Sequence, residues 1–482
     1  MKKGLLAILL LCLVFVFASC GKTNNGEQGE SESGTNGEFS VGFARADIRP
    51  SESLPLAGYG NTTSRMSMGS LDYTYASATV VTDAEGETIA IISLDIISLA
   101  QKITGYILEK VEAATGIPQD HIILNCSHSH STPDCTQTQL TAVQQYMSQF
   151  VPGQCAKAVQ EAMADRAPAK IFVGETVAEK MNFVRHYLMN DNTYAGDNFG
   201  KFTSGVKDYA EEADQELKLI DFRREGKKDV ILMNFQCHSQ MLGRENLDVS
   251  SDWFGVVRSA MEKDLGNAYM QFLQGAAGNL NGHSSRIDEN MKIRDYKAYG
   301  EAFVPFVKKA YEALEEVPSG KVQVYKGPIK VNTDHTDDAR VGIAKDVVEY
   351  CLDHFADTSA CTAYANANGF NSYYHASGAV SKAQNGKEID LFIGAFSIGD
   401  LGFSMCGAEM FCGQGRFIKE NSPFAHTFVL GYSQDARSYL PDQLAYEMNC
   451  YEVNISPYAA GTAEKAAETI VEYLNTLHDN LK

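Results

Sequence analysis

The 482-residue chain carries 41 basic and 61 acidic residues, a formal net charge of −20 at pH 7. That balance argues against nucleic acid or an anionic lipid surface as the bound partner, since both are held by dense cationic patches. With 44% hydrophobic residues, the composition is that of a globular protein able to bury a large core.

The first residues read as a targeting segment. Lys2 and Lys3 precede an apolar run from Leu5 to Ala18, and Phe17-Ala18-Ser19-Cys20 closes it. The run is shorter than the ~20 residues a membrane span needs. A positive start, an apolar stretch and small residues at the end describe a secretory signal. The cysteine gives it the form of a bacterial lipoprotein signal over residues 1–19, with Cys20 as the lipidated N-terminus. Residues 20–38 hold no large apolar side chain and read as a flexible tether. The expectation is an exported protein, lipid-anchored to a bacterial membrane, with residues 39–482 forming one large catalytic domain.

Within that domain, Ser40 to Pro50 alternates apolar and polar residues as an opening strand. A loop around Gly58-Tyr59-Gly60 follows, then a hairpin of Ala76–Thr82 and Thr88–Ile97. The second arm is almost wholly apolar, as a strand buried on both faces should be. Ile103, Ile107, Val111 and Ala114 are spaced as a helix that stops at Gly116. With the strand Ile122–Leu124 this makes a β-α-β unit, expected to be parallel. Thr136 to Arg166 is mainly helical, with an interruption expected near Pro152-Gly153. Leu217–Phe222 and Val230–Cys237 form a second hairpin. Asp252 caps a helix running to Leu265, and Tyr269–Leu273 is a strand. A helix covers Tyr296 to Leu314. Leu391–Ile398 and Leu401–Met405 form a third hairpin, followed by the helix Phe411–Glu420, the strand Thr427–Leu430 and a closing helix, Thr462–His478. The fold class is α/β: a single layered domain of mixed sheets flanked by helices.

Several apolar strands end in polar or glycine-rich segments, at His128, His238, Gly275, Glu409 and after Gly431. Ligands of α/β sheets bind beyond the carboxyl ends of strands, so these exits can converge on one site, placing a metal there at the strand C-terminal ends. In Asn125-Cys126-Ser127-His128-Ser129-His130, two histidines at i and i+2 on extended backbone point to one side. Alone, that pattern is as consistent with a polar turn. With His238 it supplies two neutral imidazoles suited to Zn²⁺, and Glu409 and Tyr439 are candidate oxygen ligands. Spacing alone does not single out those two over other acids and tyrosines. Nine cysteines remain beyond Cys12 and Cys20. An odd, scattered set does not read as a disulfide framework, and Cys351/Cys361 is the pair to test first.

The order of these motifs resembles the neutral/alkaline (non-lysosomal) ceramidases. Gly42-Phe43-Ala44-Arg45-Ala46-Asp47-Ile48 is similar to that family's opening strand, and Leu54 to Gly60 to its following loop. Asn125 to Pro133 is similar to its Thr-His-Thr-His-Ser-Gly-Pro segment, Asn234 to Ser239 to its second histidine segment, and Gly275 to Asn281 to its Gly-Asp-Val-Ser-Pro loop. Cys406 to Phe411 resembles its Pro-Gly-Glu-Pro-Phe, and Gly431 to Pro441 the segment with its tyrosine ligand. The resemblance implies one catalytic Zn²⁺ held by His128, His238, Glu409 and Tyr439, with His130 facing the substrate amide. It implies a hydrolase cleaving an N-acyl amide bond, in a small molecule or a lipid, by metal-activated water.

The departures are Asn281 where the family has serine, Asn279 where it has aspartate, and Thr132 for the glycine before the proline. Asn281 can still donate to an oxyanion. The chain also ends at Lys482, without the family's C-terminal immunoglobulin-like domain. Asn182 and Arg185 are candidates for gripping a polar or anionic group, with Asn279 beside them. The other readings are a non-catalytic ligand-binding lipoprotein on the same fold and a zinc hydrolase of ester or carbohydrate-linked substrates.

Overall fold

The strand Thr88–Leu94 is apolar on both faces because it separates two cores. Its Ile89 and Ile91 join Phe43, Val81, Leu232 and Phe403 on one side, while Ala90, Ile92 and Leu94 pack with Ile103, Ile107 and Val159 on the other. The structure, a computed structural model, describes residues 37–481 apart from 61–63, 137–139, 289–290, 292–294, 355–356 and 436. The signal segment, Cys20 and the tether up to residue 36 lie outside the described residues.

The principal strands are β1 (Ser40–Asp47), β2 (Tyr75–Thr82), β3 (Thr88–Leu94), β4 (Ile122–Cys126), β5 (Ala167–Val177), β6 (Glu216–Arg224), β7 (Asp229–Phe235), β8 (Ala268–Gln274), β9 (Val322–Asn332), β10 (Glu388–Ile398), β11 (Leu401–Cys406) and β12 (His426–Leu430). The principal helices are α1 (Gln101–Thr115), α2 (Val151–Ala164), α3 (Trp253–Leu265), α4 (Tyr296–Glu312), α5 (Val341–Asp353), α6 (Thr358–Ala367), α7 (Tyr373–Lys382), α8 (Cys412–Asn421) and α9 (Thr462–Asp479). One sheet runs β8-β7-β6-β5-β1-β2-β3-β4, and a second runs β9-β10-β11-β12. The inner core lies between them, with Phe222, Leu232 and Leu273 of the first sheet meeting Phe396, Phe403 and Phe428 of the second. Helices α1 and α2 cover one outer face of the first sheet, α3 and α4 another, and α8 and α9 cover the second sheet. Among the described residues no helix is long and apolar enough to cross a membrane.

One unit recurs three times: an antiparallel hairpin, a helix, then a strand parallel to the second arm. It is built from β2-β3-α1-β4, from β6-β7-α3-β8 and from β10-β11-α8-β12. The three expected hairpins are therefore present, and the expected parallel β-α-β arrangement appears in each. Parallel neighbours leave a sheet at the same end, so each unit delivers two chain exits side by side. Two buried asparagines tie the units together. Asn125 at the end of β4 donates from Nδ2 to the carbonyls of Gln274 and Gly431 and accepts from the Gln274 N–H. Asn234 in β7 donates to the carbonyls of Leu273 and Val429. These bonds join the ends of β4, β7, β8 and β12.

One expectation of secondary structure needs correction. The helical stretch before Arg166 is not interrupted at Pro152. It passes through a widened π-type turn at Tyr146–Phe150, and Pro152 sits in the first turn of α2. Proline lacks an N–H and crowds the carbonyl four residues back, so a wide turn upstream accommodates it. Cys351 and Cys361, the pair to test first, are buried free thiols like the other described cysteines, in line with a set that is no disulfide framework. Each sulfur lies near the other residue's carbonyl oxygen, at 3.7 and 3.6 Å. The sequence reading also assigned nothing to β5, β9 or α5–α7.

Removing the Asn125 side chain would leave the buried Gln274 N–H unpaired and take a donor from two buried carbonyls where three strands meet. Asn125→Ala is expected to lower unfolding free energy by about 2 to 4 kcal/mol, measured by urea denaturation. A change below about 0.5 kcal/mol, the range of ordinary surface substitutions, would show that the clamp contributes nothing.

Candidate active site

The exits of these strands carry the histidines. After β4 the chain turns rather than continuing extended: His128 has φ +62°, a conformation uncommon outside glycine and typical of constrained sites. The extended i, i+2 geometry expected from sequence is thus absent. The turn nevertheless brings the His128 and His130 rings to 4.9 Å between centroids, and His238 to 4.7 Å from His128. All three are buried.

Backbone carbonyls fix two of these rings. His128 Nδ1 lies 2.9 Å from the Ile97 carbonyl oxygen, and His238 Nδ1 lies 2.9 and 3.0 Å from those of Ala277 and Leu280. A carbonyl can only accept, so each Nδ1 carries the proton and each Nε2 presents a lone pair. Both Nε2 atoms face the same carboxylate oxygen, Glu409 Oε2, at 3.4 and 3.6 Å. His130 Nε2 is 3.3 Å from His128 Nε2. Its ring meets Tyr59 edge-on at 5.1 Å, and Gly58 packs so closely against it that a Cβ there would overlap Nδ1.

Glu409 and Tyr439 are register partners in a short parallel pairing of Glu409–Met410 with Tyr439–Leu440. Their side chains therefore leave the same side of that pairing. A further residue enters here that the sequence reading did not select. The Tyr432 hydroxyl is 3.4 Å from Glu409 Oε2, and its ring lies 4.2 Å from that of His128. It follows β12 directly, so the strand-exit signature that exposed the other sites also marked it.

Burial governs the protonation of the cluster. It pushes His128 down to about 3, with the Ile97 carbonyl opposing and Arg185 adding to the effect. It drives His130 and His238 well below the usual histidine range, neighbouring imidazoles and Arg185 contributing. It pushes the Glu409 carboxyl up to about 8 against the pull of Arg185. A cation reverses this logic by favouring the ionised carboxylate and neutral imidazoles together. His238 Nε2 is buried and has no hydrogen-bond partner among the described residues. Two convergent imidazole lone pairs, a carboxylate and a neighbouring phenol are a donor set that suits zinc.

Arg185 lies beside this cluster, though not free to receive a ligand. Its guanidinium pairs with Glu452 at 2.6 Å, donates to the Gly278 carbonyl at 3.0 Å, and reaches Asn281 Oδ1 at 3.5 Å. Its charge lies 5.4 Å from the Tyr439 ring centre. Glu452 also meets His186 Nε2 at 2.9 Å. His186, Cys450 and Glu452 are close enough to suggest a second ion site, but the Arg185 cation already neutralises the carboxylate. No sequence signal pointed to Glu452, which sits in the short helix Tyr451–Ile455.

Asn281 pairs with Phe183 across the Leu280–Asn281 and Phe183–Val184 bridge. Its carbonyl end accepts from Gln240 Nε2 at 2.7 Å, which turns its NH₂ end the other way. The side chains of Asn279 and Asn182 are engaged by structural partners. Asn279 donates to Glu211 and accepts from the Cys412 N–H. Asn182 donates to the carbonyls of Asp214 and Gln236, holding the segment before β6 against the end of β7. Asp252 caps α3, as expected, and also accepts from the N–H groups of Met241 and Leu242.

The pattern of the neutral/alkaline non-lysosomal ceramidase N-terminal domain matches residues 39–286. Among solved structures, the neutral ceramidase from Pseudomonas aeruginosa is similar in fold, with a TM-score of 0.68 and 16% identity over 92% of this chain and 75% of that one. A ceramidase complexed with C2 has the same TM-score and identity, over 92% of this chain and 76% of its own. No curated protein sequence matches the chain significantly.

Glu452 supplies a pH-dependent test of this architecture. Burial alone would raise its pKa, but His186 and Arg185 outweigh that and hold it well below the usual range. A lowered carboxylate stabilises the fold fully above its unfolded value of about 4.3, and the contribution fades as pH falls toward the folded value. Glu452→Gln is expected to cost about 3 to 5 kcal/mol at pH 7, because it leaves Arg185 buried without its counter-charge. It should also flatten the loss of stability below about pH 4. Denaturation curves from pH 3 to 7 check both, and parallel wild-type and variant profiles would refute the assignment.

Proposed function

The chain belongs to the neutral/alkaline non-lysosomal ceramidase family, and from that footing we propose that it is a zinc-dependent hydrolase cleaving an N-acyl amide bond in a lipid or glycoconjugate. The observation that carries the reading is the convergence of two carbonyl-fixed imidazoles on Glu409 Oε2. His128, His238, Glu409 and Tyr439 would hold the metal. Zinc bound there would polarise the acyl carbonyl and lower the pKa of water.

The chain's own groups do the rest. Burial keeps His130 neutral at rest, so it can take a proton from the attacking water. It returns that proton to the amide nitrogen as the C–N bond breaks, releasing a neutral amine and a carboxylic acid whose remaining proton passes to solvent. Asn281 is held at its carbonyl end by Gln240 and Arg185. Its NH₂ end is the donor available for charge developing on the carbonyl oxygen. Arg185 is kept in place by Glu452 and acts as a positioning residue. The Lys2-Lys3 start and the apolar run ending at Cys20 support a lipid anchor that would hold the enzyme at a membrane, where acylated amines reside.

The purified mature protein is expected to hold about one zinc per chain, since the donor set describes a single open catalytic position. His128→Ala and His238→Ala should each abolish stoichiometric zinc. His130→Ala should retain zinc but lose about 10²- to 10⁴-fold in kcat on N-acyl sphingoid or N-acyl amino-sugar substrates, the range for a lost acid–base group. Metal analysis with amide-hydrolysis assays decides this: wild type without zinc, or without turnover of any acylated amine, overturns the reading. For the anchor, Cys20→Ser should move the protein from the membrane to the soluble fraction on fractionation, and an unchanged distribution would refute it.

A further inference from the structure

Tyr432 touches two of the ligand candidates at once. Its hydroxyl is 3.4 Å from Glu409 Oε2, the oxygen that both Nε2 atoms face. Its ring lies 4.2 Å from the His128 ring, inclined by 36°. The side chain is wholly buried. A phenylalanine would fill the same volume, so packing alone does not call for the hydroxyl.

The backbone is committed as well. Tyr432 has φ +52°, which a bulky aromatic rarely adopts unless its surroundings impose it. Its N–H donates to the Ala408 carbonyl and its own carbonyl accepts from the Cys126 N–H. Those partners lie one residue before Glu409 and two before His128. Gly431, just ahead, passes so close to the Gly275 carbonyl that a Cβ would overlap it. Main chain and side chain therefore bridge the same two strand exits.

We propose that Tyr432 is a positioning residue of the metal centre, orienting Glu409 through its hydroxyl and bracing His128 with its ring. The phenol O–H donates to Oε2, which selects one carboxylate rotamer and turns that oxygen toward both imidazoles. The ring closes one face of His128 and opposes rotation away from the Ile97 carbonyl. This role rests on the zinc reading of the site.

The test compares wild type, Tyr432→Phe and Tyr432→Leu as full chains, stripped of metal by chelator and titrated with zinc against a competing indicator. Tyr432→Phe should bind zinc about tenfold more weakly, the lower end of the range for outer-shell partners, with the melting temperature of the metal-free protein unchanged. Tyr432→Leu should bind more weakly still, because His128 also loses its brace. Equal zinc affinity of wild type and Tyr432→Phe, within twofold, would overturn the role while leaving the zinc site standing. A fall in affinity matched by a large fall in metal-free melting temperature would assign Tyr432 to the fold alone and overturn it too. Wild type that takes up no zinc would instead overturn the reading of the site, and this role with it.

Discussion

The site depends on where backbone carbonyls stand. Ile97 leaves β3, while Ala277 and Leu280 follow β8, and each offers an oxygen that can only accept. Their positions decide that His128 and His238 carry protons on Nδ1 and lone pairs on Nε2. A shift of one residue in either exit would replace a carbonyl with something else and release the tautomer. The ring directions are therefore consequences of sheet register, and register in turn follows from the burial of both faces of β3 and β7. The same logic explains why the clamp asparagines sit where they do. Asn125 and Asn234 pair buried carbonyls and an N–H at the places where parallel strands from different units end, and unpaired groups there would be costly.

Charge in the interior is arranged around one arginine. A buried guanidinium without a partner would be prohibitive, and Glu452 supplies the partner, its other carboxylate oxygen meeting His186. Arg185 then acts at short range on groups it does not contact directly. It opposes the upward push of burial on Glu409 and adds to the downward push on His128 and His238. One ion pair thus biases the centre toward ionised carboxylate and neutral imidazole, the state in which all three can serve as ligands.

Much of this was legible because it depends on local pattern. Apolar runs located β3, β7 and β10, turn residues located their hairpins, and the polar segments after buried strands located His128, His238, Glu409 and Tyr432's segment. The repeated hairpin–helix–strand unit was less visible, since its three copies share topology and no period in sequence. Asn182 and Asn279 stood in motifs near the site, yet their amides are engaged by carbonyls and N–H groups whose positions only the packed sheets determine. Glu452 and α5–α7 carried no strand-exit signature. A glutamate in a five-residue helix looks like any surface acid until Arg185, 267 residues away, is found beside it.

Asn281 replaces the serine of the resembling family's loop, and its surroundings show what that exchange involves. An asparagine has two ends, and a catalytic donor needs the right one presented. Gln240 Nε2 and Arg185 Nη1 both donate toward Oδ1, so the hydrogen bonds select the orientation that a serine hydroxyl, free to rotate, would not require. The two donors come from different parts of the chain: one follows His238 by two residues, and the other is the arginine fixed by Glu452. An asparagine here is therefore held by the same elements that hold the ligands, and any disturbance of Arg185 reaches Asn281 as well as Glu409. The chemistry that survives the loss of the hydroxyl is hydrogen-bond donation from a fixed amide, which supports stabilisation of a charged oxygen but supplies no group able to pass on a proton. On the proposed hydrolysis, proton transfer would fall to His130, whose ring is packed against Gly58 and Tyr59.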